Sequence, residues 1–168
     1  TMGLRTKNIL RVVGMLVAVV LLILLLMSGK SVSNQQKAQI TASILTTNET
    51  NFNFGTVSMA KGKVNHTFTI KNTGIEQVTI KKVYTSCMCT ESTLTIEGVI
   101  SGPYGMPGHG LLPDVNRVVQ PGQEATIDAI FDPAAHGPAG VGTIKRLIMI
   151  EDKAGGSLQL QFEATVTP

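Results

Sequence analysis

The chain of 168 residues carries a formal charge of +3 and a pI near 9. The excess sits at one end: Arg5, Lys7, Arg11 and Lys30 precede any acidic residue, and from Ser31 onward ten Lys or Arg face eleven Asp or Glu. A nucleic-acid-binding domain carries its positive charge on the folded part, so that class is excluded, and the roughly 125 residues beyond a short spacer suffice for one hydrophobic core rather than two.

From Val12 to Met27 no polar side chain interrupts the sequence. At a rise of about 1.5 Å per residue, a helix from Ile9 to Gly29 is roughly 31 Å long, against a hydrocarbon core of about 30 Å. The basic flank stays inside, so the expected organisation is a cytoplasmic segment over 1–11, a transmembrane helix over 12–29, a juxtamembrane linker over 30–41 and an extracytoplasmic domain over 42–168. A cleaved signal peptide ending near Ser31-Val32-Ser33 is the alternative. The apolar run exceeds the usual h-region of about 7 to 15 residues, which favours an intact anchor in the cytoplasmic membrane.

Beyond the linker, Val, Ile, Thr and Phe concentrate in short segments: 42–45, 51–54, 64–71, 78–84, 94–100, 125–131, 144–150 and 158–166. Several alternate with period two, placing Ile127, Ala129 and Phe131 on one face, and Leu158, Leu160 and Phe162 on another. Turn chemistry separates them at Asn72-Thr73-Gly74, Pro121-Gly122, Asp132-Pro133 and Gly155-Gly156, the last reading as a hairpin. Among the histidines, His66 is expected on the solvent side of its strand. The sixteen residues 101–116 hold four glycines and three prolines and are expected to form no ladder, folding back instead over the Cys end. Seven or eight short strands at this spacing predict an all-β, antiparallel sandwich preceded by one N-terminal transmembrane helix.

The order Asn53-Phe54-Gly55-Thr56-Val57, Phe68-Thr69-Ile70-Lys71-Asn72-Thr73-Gly74, Ser86-Cys87-Met88-Cys89-Thr90 and Val119-Gln120-Pro121-Gly122 resembles a bacterial immunoglobulin-like domain of unknown function whose hallmark is Ser-Cys-Gly-Cys-Thr. That family is similar to sandwiches of the major-sperm-protein and ASPM, SPD-2, hydin type. The resemblance implies an immunoglobulin-like fold and an exported location, and no established activity. Here Met88 stands where the hallmark has glycine, and the segment 101–116 is long for the family.

Cys87 and Cys89 are the two cysteines. In an extended strand their Cα atoms stand about 6.5 to 7 Å apart, at the upper limit for a disulfide, whereas a turn lets the bond close. A disulfide is the first expectation for the pair. The alternative is a soft-metal site for copper, with Met106, His109 and His136 as further ligands, because Cu(I) favours thiolate and thioether with imidazole as a compatible partner. No nucleophile elbow is present, so a hydrolase is not expected. The expected function is therefore non-enzymatic and without cofactor: a membrane-anchored scaffold or accessory subunit docking other extracytoplasmic or membrane proteins. A copper-binding or thiol redox module is the alternative.

Overall fold

Period-two alternation decides which side chains reach the interior. In the computed structural model the described residues are 41–42, 44–110 and 112–168, together with Gly3, Met15 and Leu16. The expected transmembrane helix and linker fall outside them apart from Met15, Leu16 and Thr41. Met15 and Leu16 are helical, and among the described residues no helix is long and apolar enough to cross a membrane.

Eleven strands follow: β1 (Thr41–Ala42), β2 (Leu45–Thr46), β3 (Asn51–Ser58), β4 (Val64–Asn72), β5 (Val78–Thr85), β6 (Thr90–Ile96), β7 (Val99–Tyr104), β8 (Arg117–Val119), β9 (Glu124–Phe131), β10 (Gly142–Asp152) and β11 (Gly156–Thr167). They form two sheets. One runs β1-β11-β10-β5-β8 with β3 also on β11, and the other runs β2-β4-β9-β6-β7. Their facing surfaces supply Ile80, Val83, Ile148, Ile150, Leu160 and Phe162 from the first, and Phe68, Ile70, Leu94, Ile127 and Phe131 from the second, all essentially excluded from solvent. Each such side chain contributes about 1.5 to 3 kcal/mol on burial, so the sandwich is held by this shared layer. The β10–β11 hairpin forms where Gly155-Gly156 places it, with Asp152 Oδ1 accepting from the Gly156 amide at 2.8 Å.

Five expectations are corrected. Among the described residues the strand number is eleven rather than seven or eight, because short edge pieces join the sheets. Pairing is not wholly antiparallel, since β1 and β3 both run parallel to β11. The segment from Leu94 is a hairpin rather than one strand: Glu97 and Gly98 both take positive φ (52° and 77°), and β7 pairs back on β6. The early part of the Gly/Pro segment therefore does join a ladder. Its ladder shifts register opposite Gly102, where a Cβ would stand 3.0 Å from the Ser92 carbonyl, and Pro103 is tolerated because β7 is an edge strand. Finally, His66 is not on the solvent side. Two residues before Phe68, it shares that residue's inward face, stacking on Phe52 with ring centroids 3.5 Å apart and placing Nε2 2.8 Å from Glu49 Oε2.

Beyond β7 the Gly/Pro segment is tied to β5 near each end: Thr85 N donates to Gly105 O at 3.1 Å and Val115 N to Lys81 O at 2.8 Å. At the opposite end of β4, buried Asn72 closes the Asn-Thr-Gly turn. Its Nδ2 donates to the carbonyls of Glu76 (2.8 Å) and Val119 (3.0 Å), and its Oδ1 accepts from the Gly74 amide (2.9 Å). At about 1 kcal/mol for each of three hydrogen bonds, Asn72→Ala is expected to destabilise the domain by about 3 kcal/mol. Urea unfolding measures this, and a loss below about 1 kcal/mol contradicts the role given to the turn.

Candidate functional site

The thiols lie in the connection from β5 to β6. Thr85 ends one strand and Thr90 begins the next, both buried. Between them the chain turns tightly, with Thr90 N donating to Cys87 O at 3.1 Å. The Thr85 hydroxyl reaches the carbonyls of Cys87 (3.1 Å) and Thr90 (2.9 Å), so one buried side chain ties both ends of the turn. The result brings the sulfurs together: Cys89 Sγ lies 2.6 Å from Cys87 Sγ, to which its thiol donates, and both cysteines are free thiols in this structure. Cys89 is 2% exposed whereas Cys87 is only half-buried, an asymmetry that fixes which sulfur meets solvent.

Two more elements reach this end of the sandwich. The loop from β9 to β10 is pinned by Asp132 N, which donates to Cys89 O at 2.9 Å, and it sets His136 Nε2 3.1 Å from Cys87 Sγ. His136 precedes a 3₁₀ turn over Gly137–Gly140 and is exposed. From β10, Arg146 Nε donates to Cys89 Sγ at 3.1 Å. Leu147 exchanges hydrogen bonds with Ser86, its amide donating to Ser86 Oγ at 2.9 Å and its carbonyl accepting from Ser86 N at 3.0 Å. The sulfurs of Cys87 and Cys89 and a ring nitrogen of His136 all lie within 4.8 Å of one another.

These contacts separate the two thiols electrostatically. Burial alone pushes Cys87 up, but hydrogen bonds from the Cys89 thiol, His136 and the Cys89 amide, with the charge of Arg146, outweigh it and bring the thiol down to about 7. Burial also pushes Cys89 up, and its hydrogen bond to Cys87 adds to the rise; Arg146 and Thr90 pull the other way without overcoming it. The half-exposed thiol is thus the one poised to ionise.

Of the five residues expected as ligands, the structure brings Cys87, Cys89 and His136 together. His109 lies outside that cluster, exposed in a turn where its amide donates to Met106 O at 3.2 Å, and Met106 serves as the other end of that turn. Arg146 was missed, because Lys145-Arg146 reads as a solvated basic pair. The signal was present: Arg146 shares the parity of inward Ile148 and Ile150, whereas Lys145 points out to Glu163 at 3.0 Å. A groove of about 390 Å³, lined by Thr47, Glu49, Thr67, Thr69 and Lys71 among others, contains none of the thiol cluster.

The geometry defines a class: a two-sheet sandwich with a dithiol, an imidazole and a guanidinium converging at one end. A family model described as "Protein of unknown function (DUF1573)" matches residues 45–105, a span that includes both cysteines. No curated protein matches the chain. Among solved structures, a protein of unknown function from Porphyromonas gingivalis W83 is similar at 14% identity and a TM-score of 0.49, over 70% of this chain and 44% of that one. The PapD-like domain 7 of human CEP192 is similar at 12% identity and 0.42, over 75% and 87%. WR4, a C. elegans MSP family member, is similar at 13% identity and 0.35, over 74% and 99%. The chain spans less than half the length of the Porphyromonas gingivalis protein, and scores of this size assign no function.

Alkylation checks the division between the thiols. Iodoacetamide is expected to modify Cys87 first, its rate rising with pH to a midpoint near 7, while Cys89 stays protected. Cys89→Ala removes the largest of the hydrogen bonds that lower Cys87, so the midpoint moves to higher pH. Peptide mapping that finds both thiols labelled equally, with a midpoint near 9, contradicts the assignment.

Proposed function

We propose that this chain is a membrane-anchored, immunoglobulin-like domain on the outer side of the cytoplasmic membrane whose Cys87–Cys89 pair exchanges thiol and disulfide with other exported proteins. The observation that carries the reading is the contact of a half-exposed sulfur with a buried one, 2.6 Å apart in the β5–β6 turn. The anchor and the compartment come from the N-terminal apolar run and its basic flank, and disulfides persist in that compartment.

The exchange runs in two displacements. The Cys87 thiolate attacks one sulfur of a partner disulfide, the partner's S–S bond breaks, and the first partner thiolate leaves and takes up a proton. Cys89 then gives up its proton, which the departing second partner sulfur takes up, and its sulfur attacks Cys87 Sγ. The mixed disulfide breaks and the second partner thiol leaves. Two electrons and two protons pass from the protein dithiol to the partner, and the reverse sequence oxidises a partner dithiol.

The reverse direction is the favoured one. The disulfide closes a loop too short to gain much from restricting the unfolded chain, and Arg146 and His136 stabilise the reduced form. In this reading the partner is a protein carrying reduced cysteines. A pure docking role, the first expectation from sequence, has no comparable convergence of side chains behind it among the described residues.

Equilibration of the full chain in glutathione buffers is expected to give a potential less negative than about −200 mV. A disulfide that resists reduction below about −300 mV, as structural disulfides do, contradicts the proposal.

A further inference from the structure

The same end of the sandwich offers more than exchange chemistry. Two sulfurs and one imidazole nitrogen lie within 4.8 Å of one another, held by two separate elements: the β5–β6 turn supplies both cysteines, and the β9–β10 loop supplies His136. A trigonal ion with metal–sulfur bonds of about 2.3 Å holds its donors about 4 Å apart. His136 Nε2 and Cys87 Sγ stand at 3.1 Å and the sulfurs at 2.6 Å, so the trio needs only to open slightly, and half-buried Cys87 is the side chain free to swing.

Charge and ligand number select the ion. Two thiolates around a monovalent ion leave one net negative charge, and Arg146, donating from Nε to Cys89 Sγ at 3.1 Å, balances it beside a sulfur that is 2% exposed. A divalent ion on the same donors is already neutral, which leaves the guanidinium uncompensated. Zinc also takes four ligands, and among the described residues no further His, Cys, Asp or Glu joins the cluster. Soft thiolates with an imidazole favour copper in its lower oxidation state.

We infer that the reduced chain binds one copper(I) ion through Cys87, Cys89 and His136, with Arg146 as the neutralising contact to Cys89. This goes beyond thiol exchange and uses the same two sulfurs, so metal occupancy and the disulfide exclude each other. Bound copper protects the thiols, and their oxidation by a partner disulfide, which is reduced to two thiols, releases it.

The test titrates the full chain in detergent, reduced and without oxygen, against copper(I) held by bathocuproine disulfonate. Wild type is expected to withdraw one copper per chain, Cys87→Ser none, and His136→Ala to bind roughly ten- to hundred-fold more weakly. His136 is exposed, so its variant keeps the fold, and circular dichroism checks each sample. A parallel incubation with zinc is expected to retain less than one equivalent after desalting. The inference is overturned if a chain with two titratable thiols withdraws no copper, if His136→Ala binds as wild type does, or if a full equivalent of zinc stays bound. Exchange with oxidised glutathione, read on the same reduced sample, separates the two ideas. Exchange without copper removes only the metal site, and copper without exchange removes only the redox reading.

Discussion

The site depends on one buried hydroxyl. Thr85 Oγ1 reaches the carbonyls of Cys87 and Thr90, and with the Thr90 amide on Cys87 O it folds residues 85–90 into a turn narrow enough to press two sulfurs together. In an extended strand the same Cys-x-Cys keeps its Cα atoms at the limit of disulfide reach. Thr85 is placed by the core itself, on the inward face of β5 with Val83 and opposite Ile148 of β10. Packing of the sandwich and reactivity of its end are therefore one construction.

Around that turn, opposing effects set two thiols apart. Both are raised by burial, yet only Cys87 collects enough hydrogen bonds and positive charge to reverse the effect. Its partner gives up its own proton-donating capacity to it and stays protonated behind it. Arg146 feels the arrangement from the other side: burial lowers it, but its contacts with the two thiols raise it further, so its charge is secure where the site needs it. Asp132 and Ser86 add backbone ties from the neighbouring loop and from β10, which keeps His136 and Arg146 from drifting away from the sulfurs.

Much of the scaffold was legible in the sequence because alternation is a local signal. The runs at 64–71, 125–131 and 158–166 appear as β4, β9 and β11, and Gly155-Gly156 marks the hairpin before the last strand. What stayed hidden depends on contacts far apart in the chain. The parallel seating of β3 on β11 joins residues more than a hundred apart, and the Glu97-Gly98 turn has Glu where Asn, Asp or Gly is usual. His66 and Arg146 were misplaced for a different reason. Each was judged by its polarity, while its parity with Phe68 or Ile148 already turned it inward. Of the candidate ligands, Cys87 and Cys89 were found by spacing. His136 joined them only through the β9–β10 loop, which no periodicity describes, and the same gap left the place of His109 open.

Trapping the intermediate tests the central claim most directly. With the buried sulfur removed, Cys89→Ser incubated with oxidised glutathione is predicted to hold a single glutathione on Cys87, seen by intact mass as a stable mixed disulfide. Cys87→Ser, left with only the shielded sulfur, is predicted to remain unmodified over the same time. Capture by Cys87→Ser as fast as by Cys89→Ser contradicts the account, because the exposed thiol then has no special part in the exchange.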